Sequence, residues 1–120
     1  MRRAMICGAV TALTITTAGA EDIDSANYML RYCKLTSQQA AKSSPTLASM
    51  WGRCVRLIEG ARLMLLTRIG GPCVDIPESV TNEQMMRVVV RYGEMHPNQT
   101  HQRLGLLVLD ALHEAWPCRP

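Results

Sequence analysis

The chain has 120 residues, of which 48% are hydrophobic and 19% are charged, and it contains no Phe. This length supports one domain with a single core, and the composition excludes a low-complexity or highly charged disordered chain. The formal net charge is +3 and falls to +1 without Arg2 and Arg3, so neither a nucleic acid nor an anionic membrane is expected as a partner.

The first twenty residues have the layout of a secretory signal peptide. Two arginines precede an uncharged stretch over residues 4–19, which ends in small residues. This stretch is shorter than the roughly 20 apolar residues that span a bilayer. We therefore predict a signal peptide over residues 1–20 that is cleaved after Ala20, and an exported periplasmic domain over residues 21–120 that does not insert into the membrane.

The first helix is predicted to begin after Ser25, because a serine side chain suits a helix N-cap. Apolar side chains then recur at helical spacing, at Ala26, Met29, Leu30 and Cys33. Residues 36–45 are small and polar, and this composition predicts a loop.

A longer helix is predicted over about residues 47–68. Its apolar side chains form one stripe, which consists of Trp51, Cys54, Val55, Ile58, Ala61 and Leu65. Gly70, Gly71 and Pro72 end this helix, and an irregular segment is expected over residues 73–80.

Thr81 and Gln84 have the spacing of a capping box, which predicts the start of a third helix. Its expected buried stripe consists of Met85, Val88, Val89 and Tyr92. Pro97 suits the first position of a fourth helix that runs to about Trp116. The expected buried face of that helix is Leu104, Leu107, Val108, Ala111 and Ala115. Together these elements predict an all-α fold, a small bundle of four or slightly more helices.

Four cysteines remain after removal of the predicted signal peptide: Cys33, Cys54, Cys73 and Cys118. An even number of cysteines in a small exported domain indicates a disulfide framework, here of two bonds. The order of the helices favours the pairs Cys33–Cys54 and Cys73–Cys118. The sequence alone leaves the two crossed pairings open.

No set of residues has the spacing of a catalytic or metal site. His113-Glu114 begins a zinc-protease motif, but Pro117 occupies the position of the required second histidine. The cysteines include no C-x-x-C pair, and Met85 belongs to the predicted buried stripe, which favours core packing over copper binding. We therefore predict a binding protein that is not an enzyme and has no cofactor and no metal.

Several short patterns resemble a known family. They are Cys54-Val55-Arg56-Leu57-Ile58-Glu59-Gly60, Cys73, Val80-Thr81-x-x-Gln84, His96-Pro97 and Ala111-Leu112-x-x-Ala115-Trp116-Pro117-Cys118. In this arrangement the chain resembles the Rap/Tai family, the immunity proteins against amidase effectors of type VI secretion systems. The resemblance extends from about Cys33 to Cys118. One departure is Arg56-Leu57, where the family usually has Gly-Tyr.

The resemblance implies a small exported helical protein that is often a homodimer. Its implied partner is a peptidoglycan amidase effector injected by a rival bacterium, whose active-site cleft it occludes in the periplasm. Two protrusions suit such a cleft, the loop over residues 75–79 and the turn over residues 94–100. The candidate partner-binding residues are Asp75, Glu78, Ser79, Glu94, His96 and Asn98.

Two other functions stay open at this point. A domain of the same family could bind a different envelope protein instead of an amidase. A small periplasmic chaperone of the acid-stress type is also helical and disulfide-linked, although two disulfides and few carboxylates suit acid-triggered unfolding poorly.

Overall fold

The structure, a computed structural model, describes residues 22–67 and 71–119. Within these ranges the chain forms five α-helices, one 3-10 turn and no β-strand. The elements are α1 (Ala26–Cys33), α2 (Ser37–Lys42), α3 (Pro45–Thr67), α4 (Asn82–Met95), the 3-10 turn Pro97–Gln99 and α5 (Leu104–Ala115). The predicted all-α class is confirmed. The predicted signal peptide lies outside the described residues.

Local hydrogen bonds begin two of the helices as predicted. The Ser25 hydroxyl accepts a hydrogen bond from the Tyr28 N–H at 3.3 Å. The Thr81 hydroxyl accepts one from the Gln84 N–H at 3.2 Å, and the Gln84 side chain accepts one in return from the Thr81 N–H at 2.8 Å. These side chains therefore satisfy N–H groups that have no partner within their own helix.

The prediction of a loop over residues 36–45 is wrong, because α2 occupies Ser37–Lys42. Thr36 and Gln39 form a second capping box, and Ala40 is buried. The hydroxyl and the N–H of Ser37 hydrogen-bond to Glu83 at the start of α4, which lowers the pKa of that carboxyl. Only one side chain of α2 is buried, so the sequence of this helix has no apolar period to reveal it.

The start of α5 also differs from the prediction, because Pro97 begins the 3-10 turn and α5 begins at Leu104. The Thr100 carbonyl, which a continuous helix would pair with the Leu104 N–H, instead accepts a hydrogen bond from the Asn27 N–H at 2.8 Å. The Leu104 N–H in turn donates to the Asp24 carbonyl at 2.9 Å. Because these residues pair with the chain around α1, α5 begins at Leu104 and not at Pro97.

One core lies between α1, α3, α4 and α5. Its most completely buried large side chains are Met29, Ile58, Met85, Val89, Leu104, Leu107, Val108 and Leu112. The buried face of α4 is shifted from the predicted stripe, since Met86 and Gly93 are buried while Val88 and Tyr92 are only partly so. Likewise Ala115 of α5 is exposed and Leu112 is buried. Gly93 leaves room for Leu30, whose Cδ1 would lie 2.5 Å from an added Cβ.

The two predicted disulfides are confirmed. Cys33–Cys54 joins α1 to α3, with a Cα–Cα distance of 5.5 Å. Cys73–Cys118 joins the irregular segment after α3 to the end of the chain, with a Cα–Cα distance of 5.4 Å. The first bond is inside the core, where Cys33 and Cys54 are 4% and 0% exposed, whereas Cys73 is on the surface. The two bonds therefore differ in access to solvent.

This difference predicts the order of reduction. Thiol–disulfide exchange requires access to a sulfur atom, so dithiothreitol under native conditions is expected to reduce Cys73–Cys118 well before Cys33–Cys54. Alkylation followed by peptide mass spectrometry measures each bond over time. In urea, where both bonds are exposed, the difference should largely disappear. Earlier reduction of Cys33–Cys54 in the native protein would show that this prediction is wrong.

Candidate partner-binding surfaces

The segment over residues 73–80 has no regular structure, but backbone contacts hold it against the chain end. The Asp75 N–H donates to the Trp116 carbonyl at 2.9 Å, and the Cys118 N–H donates to the Cys73 carbonyl at 3.2 Å. Between them Val74 and Pro117 form an isolated antiparallel bridge. Together with the disulfide, these contacts fix one end of the segment.

Arg62 of α3 holds the other end of this segment. Its guanidinium donates to the Val80 carbonyl at 2.8 Å, and to the Pro77 and Glu78 carbonyls at 3.2 and 3.3 Å. A single planar donor group thus satisfies three carbonyls of an irregular segment. The backbone is anchored on both sides, while the side chains of Asp75, Glu78 and Ser79 are exposed.

The turn over residues 94–100 is built around a stacked pair of rings. The His96 ring lies 4.0 Å from the Tyr92 ring, centroid to centroid, at an interplanar angle of 21°. The His96 Nδ1 is 2.8 Å from the Tyr92 carbonyl, and its Nε2 is 3.8 Å from a Glu114 carboxylate oxygen. His96 is therefore partly committed to the fold and is only half-exposed.

The other residues of this turn have local partners as well. The Tyr92 hydroxyl donates to Gln99 at 2.9 Å, and burial of this phenol, together with the charge of Asp110, raises the pKa of Tyr92. Glu94 forms an exposed ion pair with Lys34 at 2.9 Å. The backbone carbonyl of Asn98 lies 2.9 Å from the His101 Nδ1. The Asn98 side chain is exposed.

The two predicted protrusions are both attached to the C-terminal turn of α5. Asp75 bonds to Trp116, and His96 lies beside Glu114. Of the six predicted residues, His96 is partly buried and the other five are exposed. Whether they contact a partner stays a prediction.

A separate surface lies between α3 and α5, where these helices line an open groove of about 830 Å³. Its apolar walls include Leu57, Ala61, Met64, Leu106 and Leu109. Several of these side chains face solvent: Leu57 is 39% exposed, Met64 48% and Leu106 54%. Gly60 and Gly105 also line the groove, and a Cβ added at either would have no neighbour within 4 Å.

One end of this groove is basic. Arg53, Arg56 and Arg103 line it together with a single carboxylate, that of Asp24. Asp24 pairs with Arg53 at 2.8 Å, and its carbonyl accepts the Leu104 N–H, which places the start of α5 beside Arg53. Among the described residues neither Arg56 nor Arg103 has an ion-pair partner. The groove thus combines an apolar body with an excess of positive charge at one end.

The described part of the chain offers no candidate metal site and no candidate membrane-spanning helix. No three His, Cys, Asp or Glu side chains within residues 22–67 and 71–119 are grouped as a metal site would need. No helix in this part is both long enough and apolar enough to cross a membrane.

A comparison with known protein families shows the family of this chain. Residues 25–118 match the family of Rap1a immunity proteins, and this range includes all five helices and both disulfides. The chain belongs to the Rap1a immunity protein family. No curated protein and no solved structure shows a significant match. Membership in this family implies that the protein binds a partner effector.

Sequence reasoning did not find the groove of this Rap1a-family protein. The stripe predicted for α3 assigned one face to the core, and Leu57 and Met64 fell outside it. A signal was present, because a helix with one buried stripe and exposed leucines and methionines on other faces is unusual for a surface helix. Arg56 and Leu57, which depart from the usual Gly-Tyr, both line the groove.

The contacts of Arg62 predict the effect of removing its guanidinium. Arg62→Gln should lower the free energy of unfolding by roughly 1–2 kcal/mol, because three carbonyls lose a charged donor. Amide hydrogen exchange in residues 75–80 should also become faster, and by more than in α4 and α5, where only the lower global stability acts. Arg91→Gln is the matched control, since Arg91 is an exposed arginine of α4 that makes no hydrogen bond to this segment among the described residues. Equal exchange in the two variants would contradict the anchoring role.

Proposed function

We propose that this protein is a periplasmic immunity protein that binds a peptidoglycan amidase effector delivered by type VI secretion and occludes its active-site cleft. The observation that carries the proposal is the family match over residues 25–118. The choice of an amidase rests on the resemblance to the Rap/Tai family described above. The protein acts by binding, without a reaction of its own.

Export to the periplasm is part of this proposal. An injected amidase reaches its substrate in the periplasm, so an inhibitor must be present in the same compartment. The signal-peptide pattern of residues 1–20 supports export. The two disulfides support it independently, because disulfides form and persist in oxidising compartments.

Occlusion requires a protrusion that keeps its shape when it enters a cleft. Cys73–Cys118, the Val74–Pro117 bridge and Arg62 hold the 73–80 segment before any partner binds. A pre-ordered loop loses less conformational entropy on binding than a flexible one, which favours affinity. Asp75, Glu78 and Ser79 are therefore the contacts that we propose for the cleft, with Glu94, His96 and Asn98 as a second set.

Co-expression with amidases tests this function. A panel of type VI amidase effectors is produced in the periplasm of a laboratory strain, and growth is measured with and without the full-length protein. We expect rescue from at least one amidase, and loss of rescue when residues 2–20 are deleted. If growth is rescued from none of them, the amidase proposal is wrong. Rescue by the deleted form would contradict export.

Substitutions in the loop test the occlusion surface. Glu78→Arg should weaken binding to the amidase that the wild type neutralises by about tenfold or more, and a tenfold change corresponds to about 1.4 kcal/mol. Gln38→Arg on α2 makes the same side chain at an exposed site outside both protrusions, and it should bind like the wild type. Binding is measured by titration calorimetry, and sedimentation of the same samples reports whether the protein is a homodimer. Equal affinity of the two variants would remove Glu78 from the interface.

A further inference from the structure

The groove between α3 and α5 exposes apolar side chains that the described part of the chain leaves uncovered. Leu57 and Met64 of α3 and Leu106 of α5 stay between 39% and 54% exposed. The groove lies along α3 from Arg53 to Met64, a distance of about 16 Å at the rise of an α-helix. This length matches about three turns of a second helix, and a groove between two helices is a common receptor for an amphipathic helix.

Two of the residues that line this groove are glycines with open space beside them. At Gly93 an added Cβ would approach Leu30 to 2.5 Å, so the core requires that glycine. At Gly60 and Gly105 an added Cβ would meet nothing within 4 Å. Gly60 lies in the interior of α3, where glycine costs about 1 kcal/mol relative to alanine, and no described residue occupies the space beside it. The space is available to an occupant.

The charges at the groove select the kind of occupant. Arg53, Arg56 and Arg103 line the groove toward the start of α5, and Asp24 is the only carboxylate among the described lining residues. An occupant with carboxylates at that end would neutralise this excess, whereas a basic one would be repelled. The predicted signal peptide does not fit, because residues 1–20 include two arginines and no acidic residue.

We propose that the α3–α5 groove binds an amphipathic helical segment of the effector, with apolar side chains against Leu57, Met64 and Leu106 and carboxylates beside Arg56 and Arg103. This inference rests on the proposed function, which supplies the effector as partner. It adds a contact surface beyond the two protrusions, and this surface is opposite in charge to the 75–79 loop. The groove provides apolar area and charge pairing, while the loop enters the cleft.

A pair of glycine substitutions tests the groove. Gly60→Leu fills it from the floor, while Gly52→Leu makes the same change on the same helix, at a site that also has nothing within 4 Å and does not line the groove. Both variants should fold, because leucine favours a helix more than glycine does. We expect Gly60→Leu to bind the amidase that the wild type neutralises about 30-fold or more weakly, because its side chain would block a contact at the centre of the interface. Gly52→Leu should bind like the wild type.

A second pair tests the charges. Arg56→Glu should weaken binding of the same amidase by about tenfold or more and reduce its dependence on salt. Arg91→Glu makes the same change in charge on α4, away from the groove, and should have little effect. If Gly60→Leu and Arg56→Glu both bind like their controls, the effector does not use this groove and the inference is wrong.

A peptide separates this inference from the proposed function. The probe is a helical peptide of about three turns with leucines on one face and glutamates at one end. A control peptide has lysines in place of the glutamates. Binding of the glutamate peptide, with NMR shifts at the groove that Gly60→Leu abolishes, supports the groove even if no amidase is neutralised. Absence of such binding overturns it. If the wild type is a dimer that Gly60→Leu dissociates, a second copy occupies the groove, which also overturns the inference.

Discussion

The packing of α5 against the other helices is the interaction on which the rest of the structure depends. Leu104, Leu107 and Leu112 of this helix are fully buried among α1, α3 and α4. At its start the Leu104 N–H donates a hydrogen bond to the Asp24 carbonyl before α1, and beyond its end the disulfide and the bridge attach the 73–80 segment. The same helix forms one wall of the α3–α5 groove. Its position therefore sets both the 73–80 segment and the α3–α5 groove.

The two helices whose first residue the sequence predicted are those whose capping signal and apolar spacing agree. α1 and α4 each have a side-chain cap followed by apolar residues at helical spacing, and both begin at the predicted residue. In α2 only the capping signal is present, because this short helix buries a single alanine. The start of α5 depends on pairing between residues 24–27 and 100–104, which are distant in sequence. A local pattern cannot reveal such pairing.

The two candidate surfaces differ in how much of them the sequence could predict. Prolines and a cysteine mark the 73–80 segment as irregular, so the exposure of Glu78 and Ser79 was predictable. The anchoring by Arg62 was not, because it requires the segment to fold back on α3. The groove depends on which apolar side chains of α3 no other helix covers. This is a property of the packed bundle, and spacing along one helix does not contain it.

The separation of the two surfaces has a consequence for specificity. The 75–79 loop has two carboxylates, Asp75 and Glu78, whereas the groove end has three arginines. A partner that engages both must present positive charge to the first and negative charge to the second, and a mismatch at either is penalised by like-charge repulsion and by desolvation. Two patches of opposite sign also fix the orientation of a partner. A change of a few surface charges on this bundle would therefore change the partner that it prefers without changing the core around α5.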